Sequence, residues 1–199
     1  MAGRARPRAR ASDAQEHVAL TWVSPPMKLE ISGARLRPFR RGDEDDLVES
    51  ANDREIWRNV RDGFPFPYTR SDAERWIAYN EGIWPAINFA IDLEDRVVGG
   101  VGLVLGQDVH RRTAEIGYWL ARQVWSRGLA TGAVQAMTRY AFAELQLVRV
   151  HAGVFVWNPA SVRVLEKAGY ALEGRMRKWA FKDGQHVDAW LYACTDDDH

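Results

Sequence analysis

Between residues 88 and 121 the apolar residues recur at every second position, in three runs separated only by short polar breaks. Asn88–Leu93 (NFAIDL), a turn at Glu94-Asp95 and Val97–Leu105 (VVGGVGLVL) together spell a hairpin, and Thr113–Ala121 (TAEIGYWLA) reads as a third strand. Strands joined by connections this short pair antiparallel, because a parallel return needs a crossover of a dozen or more residues. This central block commits the chain to a sheet.

The flanking segments supply helices. Ala34–Phe39 alternates as a short strand, Gly42-Asp43 opens a polar helix through about Asn52, and residues 54–61 continue as a further helical turn. Two prolines make 63–67 a loop. Thr69 and Ser71 are each followed three residues later by an acid, the mark of a capping box, and the helix they start runs to about Glu81. After the third strand, a polar turn at Trp125–Gly128 leads into a helix to about Leu145, with Leu129, Ala133, Met137, Ala141 and Leu145 striping one face. Val148–Val156 is a buried strand, and Asn158-Pro159 starts a helix that stops at Ala168-Gly169. Two last strands, about 170–181 and 187–194, meet at the turn Lys182-Asp183-Gly184. The order defines one α+β domain with a mostly antiparallel sheet.

Charge and cysteine content narrow the function classes. Lys and Arg number 27 against 27 Asp and Glu, so no basic surface for gripping nucleic acid is expected. Cys194 stands alone, which excludes an internal disulfide and points to the cytoplasm. No apolar run is long enough to span a membrane. Residues 1–26 hold Arg4, Arg6, Arg8 and Arg10 with almost nothing to bury, and read as a solvated Arg-rich tail. Met27 opens the segment that looks folded; the expectation is that translation starts there, that 27–195 is a single domain and that 196–199 is a short acidic tail.

Several chemistries are absent. Gly99, Gly100, Gly102 and Gly106 lack the spacing of a dinucleotide loop, and no helix follows them. No P-loop run, HExxH or cysteine cluster occurs, and His17, His110, His151, His186 and His199 never pair at ligand spacing, so no metal site is expected. What remains is the passage from the strand AEIGYWL through Trp125-Ser126-Arg127-Gly128 into the helix at Leu129-Ala130-Thr131. A strand, a short Gly-bearing turn and a helix N-terminus leave several N–H groups free with the positive end of the helix dipole behind them, a ready site for an anion such as pyrophosphate.

A second stretch, Val154-Phe155-Val156-Trp157-Asn158-Pro159-Ala160-Ser161 followed by VRVLEKAGY, closely resembles the C-terminal half of the GNAT family of N-acetyltransferases, and RGLAT resembles that family's pyrophosphate loop. The resemblance covers about residues 34–194 and is strongest to the branch that modifies N-terminal amines of ribosomal proteins. It implies the acyl-CoA N-acyltransferase fold: a central mixed, mostly antiparallel sheet of six to seven strands flanked by about four helices. It further implies an acetyl-CoA-dependent N-acetyltransferase, with acetyl-CoA as acyl donor and no metal.

By the same resemblance the donor's pyrophosphate lies on Ser126, Arg127, Gly128, Leu129, Ala130 and Thr131. Its pantetheine arm lies between the strands of Trp119 and Phe155, which splay apart in the family; a main-chain N–H near Leu120 polarises the thioester, and Asn158 and Arg163 complete the contacts. Ser161 protonates the leaving thiolate, because Leu165 stands where many members carry a tyrosine. Glu115 is the expected base. Trp125 occupies a position often held by Gln or Arg. Phe64, Phe66 and Tyr68, in the variable N-terminal half, are the expected acceptor contacts. The expected acceptor is a protein N-terminal α-amine, such as that of a ribosomal protein. A polyamine, aminoglycoside or amino-acid acceptor, or a non-catalytic acetyl-CoA-binding module, stands as the alternative. Oligomeric state is open between monomer and homodimer, with nine tryptophans available for an aromatic face.

Overall fold

The computed structural model describes residues 28–198. The expectations for the Arg-rich tail, for Met27 and for His199 lie outside them. Eight strands form one sheet: β1 (Leu29–Ile31), β2 (Ala34–Arg37), β3 (Asn88–Leu93), β4 (Arg96–Leu105), β5 (Thr113–Leu120), β6 (Arg149–Phe155), β7 (Ala171–Lys182) and β8 (Gln185–Thr195). Five helices accompany it: α1 (Glu44–Ala51), α2 (Arg54–Trp57), α3 (Arg70–Glu81), α4 (Leu129–Ala143) and α5 (Pro159–Lys167). The sheet order is β1-β2-β3-β4-β5-β6-β8-β7. Every neighbouring pair is antiparallel except β5 and β6, which run parallel because α4 carries the chain back across the sheet between them.

The α+β class and the mixed sheet agree with the sequence. The counts exceed it by one strand and one helix: β1 spans three residues, too short for its period to show, and α2, read as a further turn over 54–61, is a separate single-turn helix. Of the two candidate capping boxes the one at Thr69 forms: its side chain accepts the N–H of Asp72, whose carboxylate accepts the N–H of Thr69 at 2.8 Å. Among the described residues no helix is long and apolar enough to cross a membrane.

Alternation along the strands divides the core in two. On β3, Phe89 and Ile91 enter a cluster with Leu129, Ala133, Met137 and Ala141 of α4 and Leu165 of α5, while Ala90 between them joins Phe39, Leu47 and Ile77 under α1 and α3. Successive side chains of a strand point to opposite faces, so the sheet is covered on both sides. The second cluster is tied down by an ion network. Arg37, 3% exposed, donates to both oxygens of Asp43 at 2.7 and 2.8 Å and through Nε to Asp92 at 2.5 Å. Asp43 also accepts the N–H of Arg40 at 2.9 Å, and Asp92 that of Asp95 at 3.0 Å. Burial works against ionisation of Asp92, but hydrogen bonds from Arg37 and Arg35 hold its carboxyl below the usual carboxylate range.

Removing Arg37 takes from two buried carboxylates the buried cation they share, leaving only the more exposed Arg35 and Arg40 beside them. Arg37→Met is therefore expected to destabilise the protein by about 3–5 kcal/mol, read as a lower urea midpoint at unchanged slope.

Candidate active site

The strands β5 and β6 pair over only three residues, Thr113 with Arg149, Ala114 with Val150 and Glu115 with His151. Beyond that point β5 stays with β4 up to Leu120, and β6 stays with β8 up to Phe155. The carbonyl of Thr113 accepts from Gly106 at 2.9 Å and the N–H of Ala121 donates to Val98 at 2.8 Å, so the odd-numbered residues of β5 direct their backbone to β4. Ladder bonds alternate in side along a strand, so Ile116, Tyr118 and Leu120 direct theirs to the other side, where pairing with β6 ends at Glu115 and His151. Between the two strands lies a tapering gap edged with unpaired backbone groups, which a bound chain pairs with by strand addition.

At the open end of that gap stands the N-terminus of α4. Gly128, its cap residue, has φ +80 and offers no side chain to the first turn. Ser126 also takes a left-handed conformation, with φ 62. Leu129 is buried in the main core, leaving its N–H alone for a ligand, together with those of Ala130 and Thr131; Arg127 is exposed beside them. The indole N–H of Trp125 donates to the carbonyl of Leu120 at 2.8 Å and ties the turn to the end of β5.

The N-terminus of α5 forms the other rim. Asn158 caps it by accepting the N–H of Ser161 at 3.1 Å. The Ser161 hydroxyl lies 2.7 Å from that of Tyr118, whose O–H also reaches the Ser161 carbonyl at 3.2 Å. Burial pushes the Tyr118 phenol up to about 12, so it stays protonated and fixes the hydroxyl beside it. Leu165 is fully buried, and the phenol near Ser161 comes from β5 instead. Arg163 is exposed on the second turn of α5.

On the opposite face of the sheet, Glu115, one-quarter exposed, accepts from Arg61 at 2.5 Å. His151 stands across from it on β6 with Nδ1 buried and unpartnered. Burial pushes this imidazole below its ordinary value, against the attraction of Glu115. Along the same face of β6, Trp179 covers Gly153, where a Cβ would meet the indole at 2.7 Å, and Phe155 meets both Trp179 and Trp157. Trp179 reaches that position from a bulge in β7, held where Asp188 accepts the N–H of Lys178 at 2.7 Å.

Three expected contacts are displaced by the same alternation and packing. Trp119 is odd-numbered, so its backbone faces β4 and its ring packs on Phe64 at 5.4 Å; the gap is lined by Tyr118 and Leu120 instead. Tyr68 is buried in the second core, its phenol raised by desolvation to about 12, and Phe64 packs between it and Trp119. Of the three expected acceptor contacts only Phe66 remains largely exposed, against Trp57. Tyr118, His151, Arg61 and Trp179 were not singled out from sequence. Period two would have put Tyr118 on the opposite face from Glu115, but its meeting with Ser161 depends on how α5 packs. Among the described residues no cluster of metal-ligating side chains is found.

A parted parallel strand pair beside an uncapped helix N-terminus is the arrangement of an acyl-CoA-binding acetyltransferase domain. The chain belongs to the GNAT acetyltransferase family, whose domain matches residues 34–171. The probable N-acetyltransferase YjcK of Bacillus subtilis is 40% identical over 105 residues, 53% of this chain and 58% of that protein. The putative ribosomal N-acetyltransferase YdaF of Bacillus subtilis is 38% identical over 86 residues, 43% of this chain and 47% of that one. The matches thus span about half to three-fifths of these relatives. A GNAT-family acetyltransferase from Bacillus anthracis superposes with TM-score 0.75 at 26% identity, over 86% of this chain and 99% of that one. Mycobacterium smegmatis RimJ in complex with CoA-disulfide superposes with TM-score 0.75 at 24% identity, over 88% and 89%, a likeness of fold.

Gly128 is conformationally demanding but not crowded, since a Cβ there meets nothing within 4 Å. Gly128→Ala is expected to cost about 1–2 kcal/mol through left-handed strain alone, measured as a drop in unfolding free energy.

Proposed function

We propose that the protein moves an acetyl group from acetyl-CoA to a primary amine, with the α-amine of a protein N-terminus as acceptor and no covalent enzyme intermediate. The observation that carries this reading is the β5 edge left open past Glu115, with the Tyr118 backbone and the Leu120 N–H free of the ladder, running up to the uncapped first turn of α4. The N–H groups of Leu129, Ala130 and Thr131, with Arg127 beside them, would hold the pyrophosphate, and the β5 edge would pair with the pantetheine arm. When bound, acetyl-CoA supplies the acetyl group as a thioester open to attack by a neutral amine. An N–H at the Leu120 end of β5 polarises the thioester oxygen. Ser161, positioned by Tyr118, protonates the departing sulfur. The proton that the amine must lose leaves on the acceptor side of the sheet, where Glu115 stands.

Direct transfer is supported by Cys194, which is buried on β8 with its thiol pushed up by desolvation. Likeness in sequence to YdaF, a putative ribosomal N-acetyltransferase, favours a ribosomal protein as the acceptor.

Calorimetry with acetyl-CoA should give binding in the micromolar range that Gly128→Trp abolishes; no binding by the folded wild type would overturn the reading. Thiol release is then compared across peptides with free and formylated N-termini, spermidine, aminoglycosides and amino acids. The free peptides should lead by about tenfold or more, with the formylated ones silent. A preference for spermidine or another small amine would overturn the acceptor. Tyr118→Phe should slow turnover by roughly tenfold, within the range of one general-acid contribution, and leave acetyl-CoA affinity unchanged.

A further inference from the structure

His151 stands near the point where β5 and β6 part and has no part in the chemistry above. Facing it are Glu115 from β5, Arg61 from the loop after α2, Arg149 on its own strand and Glu173 from β7. Both carboxylates are already engaged: Glu115 by Arg61 at 2.5 Å, and Glu173 by both terminal nitrogens of Arg149, one of them at 2.7 Å. A carboxylate whose lone pairs are directed at a guanidinium has fewer of them free for another donor. The imidazole is different. Its Nδ1 is buried without a hydrogen-bond partner, a state that buried polar nitrogens seldom keep without a reason.

We propose that His151 takes up the proton shed by the attacking amine, while Glu115 remains ionised and steadies the imidazolium that forms. This deepens the acetyl-transfer reading and rests on it. Burial keeps the imidazole neutral, and so able to accept, at neutral pH; the nearby Glu115 offsets part of that shift and favours the charged form once the proton arrives. The amine nitrogen bonds to the acetyl carbon as the carbon–sulfur bond breaks. The surplus proton on nitrogen passes to the imidazole, and sulfur takes the hydroxyl proton of Ser161. Ser161 then regains a proton from solvent and His151 releases one to it, so the protein returns to its starting state.

The test combines the pH dependence of kcat/KM with an NMR titration of the His151 imidazole in the free protein, assigned by comparison with His151→Gln. The acceptor is whichever amine the wild type uses best in the panel above. Deprotonation of a peptide α-amine, with a pKa of about 7.7–8.0, already gives log kcat/KM a slope of about one on the acid side. The wild-type slope should steepen to about two below the pH at which NMR shows His151 titrating. His151→Gln should lose that second break and fall about a hundredfold at pH 7, with KM for acetyl-CoA unchanged. Glu115→Gln should keep the break but move it, and the NMR titration with it, to lower pH.

A break that survives in His151→Gln, or disappears in Glu115→Gln, would overturn the proposal and return the proton to Glu115. If His151→Gln does not fold, a wild-type break that fails to coincide with the imidazole titration overturns it equally. A wild type that acetylates none of the amines sinks both readings, whereas an active wild type matched by an unaltered His151→Gln sinks this one alone.

Discussion

Three residues of parallel pairing between β5 and β6 hold the two halves of this molecule together. The first five strands and the last three are each antiparallel arrays whose neighbours are joined through ladders and turns. Between them the sheet is continuous only through Thr113–Glu115 and Arg149–His151, with α4 bridging on one face. A longer ladder would satisfy more backbone groups and strengthen the sheet. It would also close the gap that gives the fold its binding edge. The shortness of the pairing is affordable because α4 buries an entire apolar stripe against both halves, placing the stabilisation in side-chain packing where a ladder would otherwise supply it.

Most of the framework was legible because it is written in local periodicity. The alternation in NFAIDL, VVGGVGLVL and TAEIGYWLA, the four-residue repeat from Leu129 to Ala141, and the caps at Thr69 and Asn158 each specify an element from its own residues. The turn from Trp125 to Gly128 was legible for the same reason, since strand, glycine and helix lie in one continuous stretch. β1, too short to complete a period, left no trace, and α2 showed only as a further turn of the helix before it.

The errors at the site have a different origin. Trp119 and Tyr68 are aromatic residues near the right place, but composition does not say which way a side chain turns. Trp119 sits on the odd face of β5 and is consumed by the small core under α1 and α3, as is Tyr68. Conversely, the contacts that matter most are between distant segments: Tyr118 with Ser161, Glu115 with Arg61, His151 opposite Glu115. Parallel register across a helical crossover is settled by how α4 packs, and no short-range pattern encodes it. The position of Trp179 depends likewise on a bulge anchored from the neighbouring strand.

The bond from the Trp125 indole to the Leu120 carbonyl makes the turn and the strand end one piece. The distance from the first turn of α4 to the unpaired edge of β5 is therefore set in advance and does not adjust to what arrives. The site works as a caliper with its jaws locked. A molecule whose anionic group and extended arm match that opening engages both jaws at once. Under the proposed function a shorter phosphate compound would reach one jaw and gain nothing from the other, and length itself would become part of what is recognised.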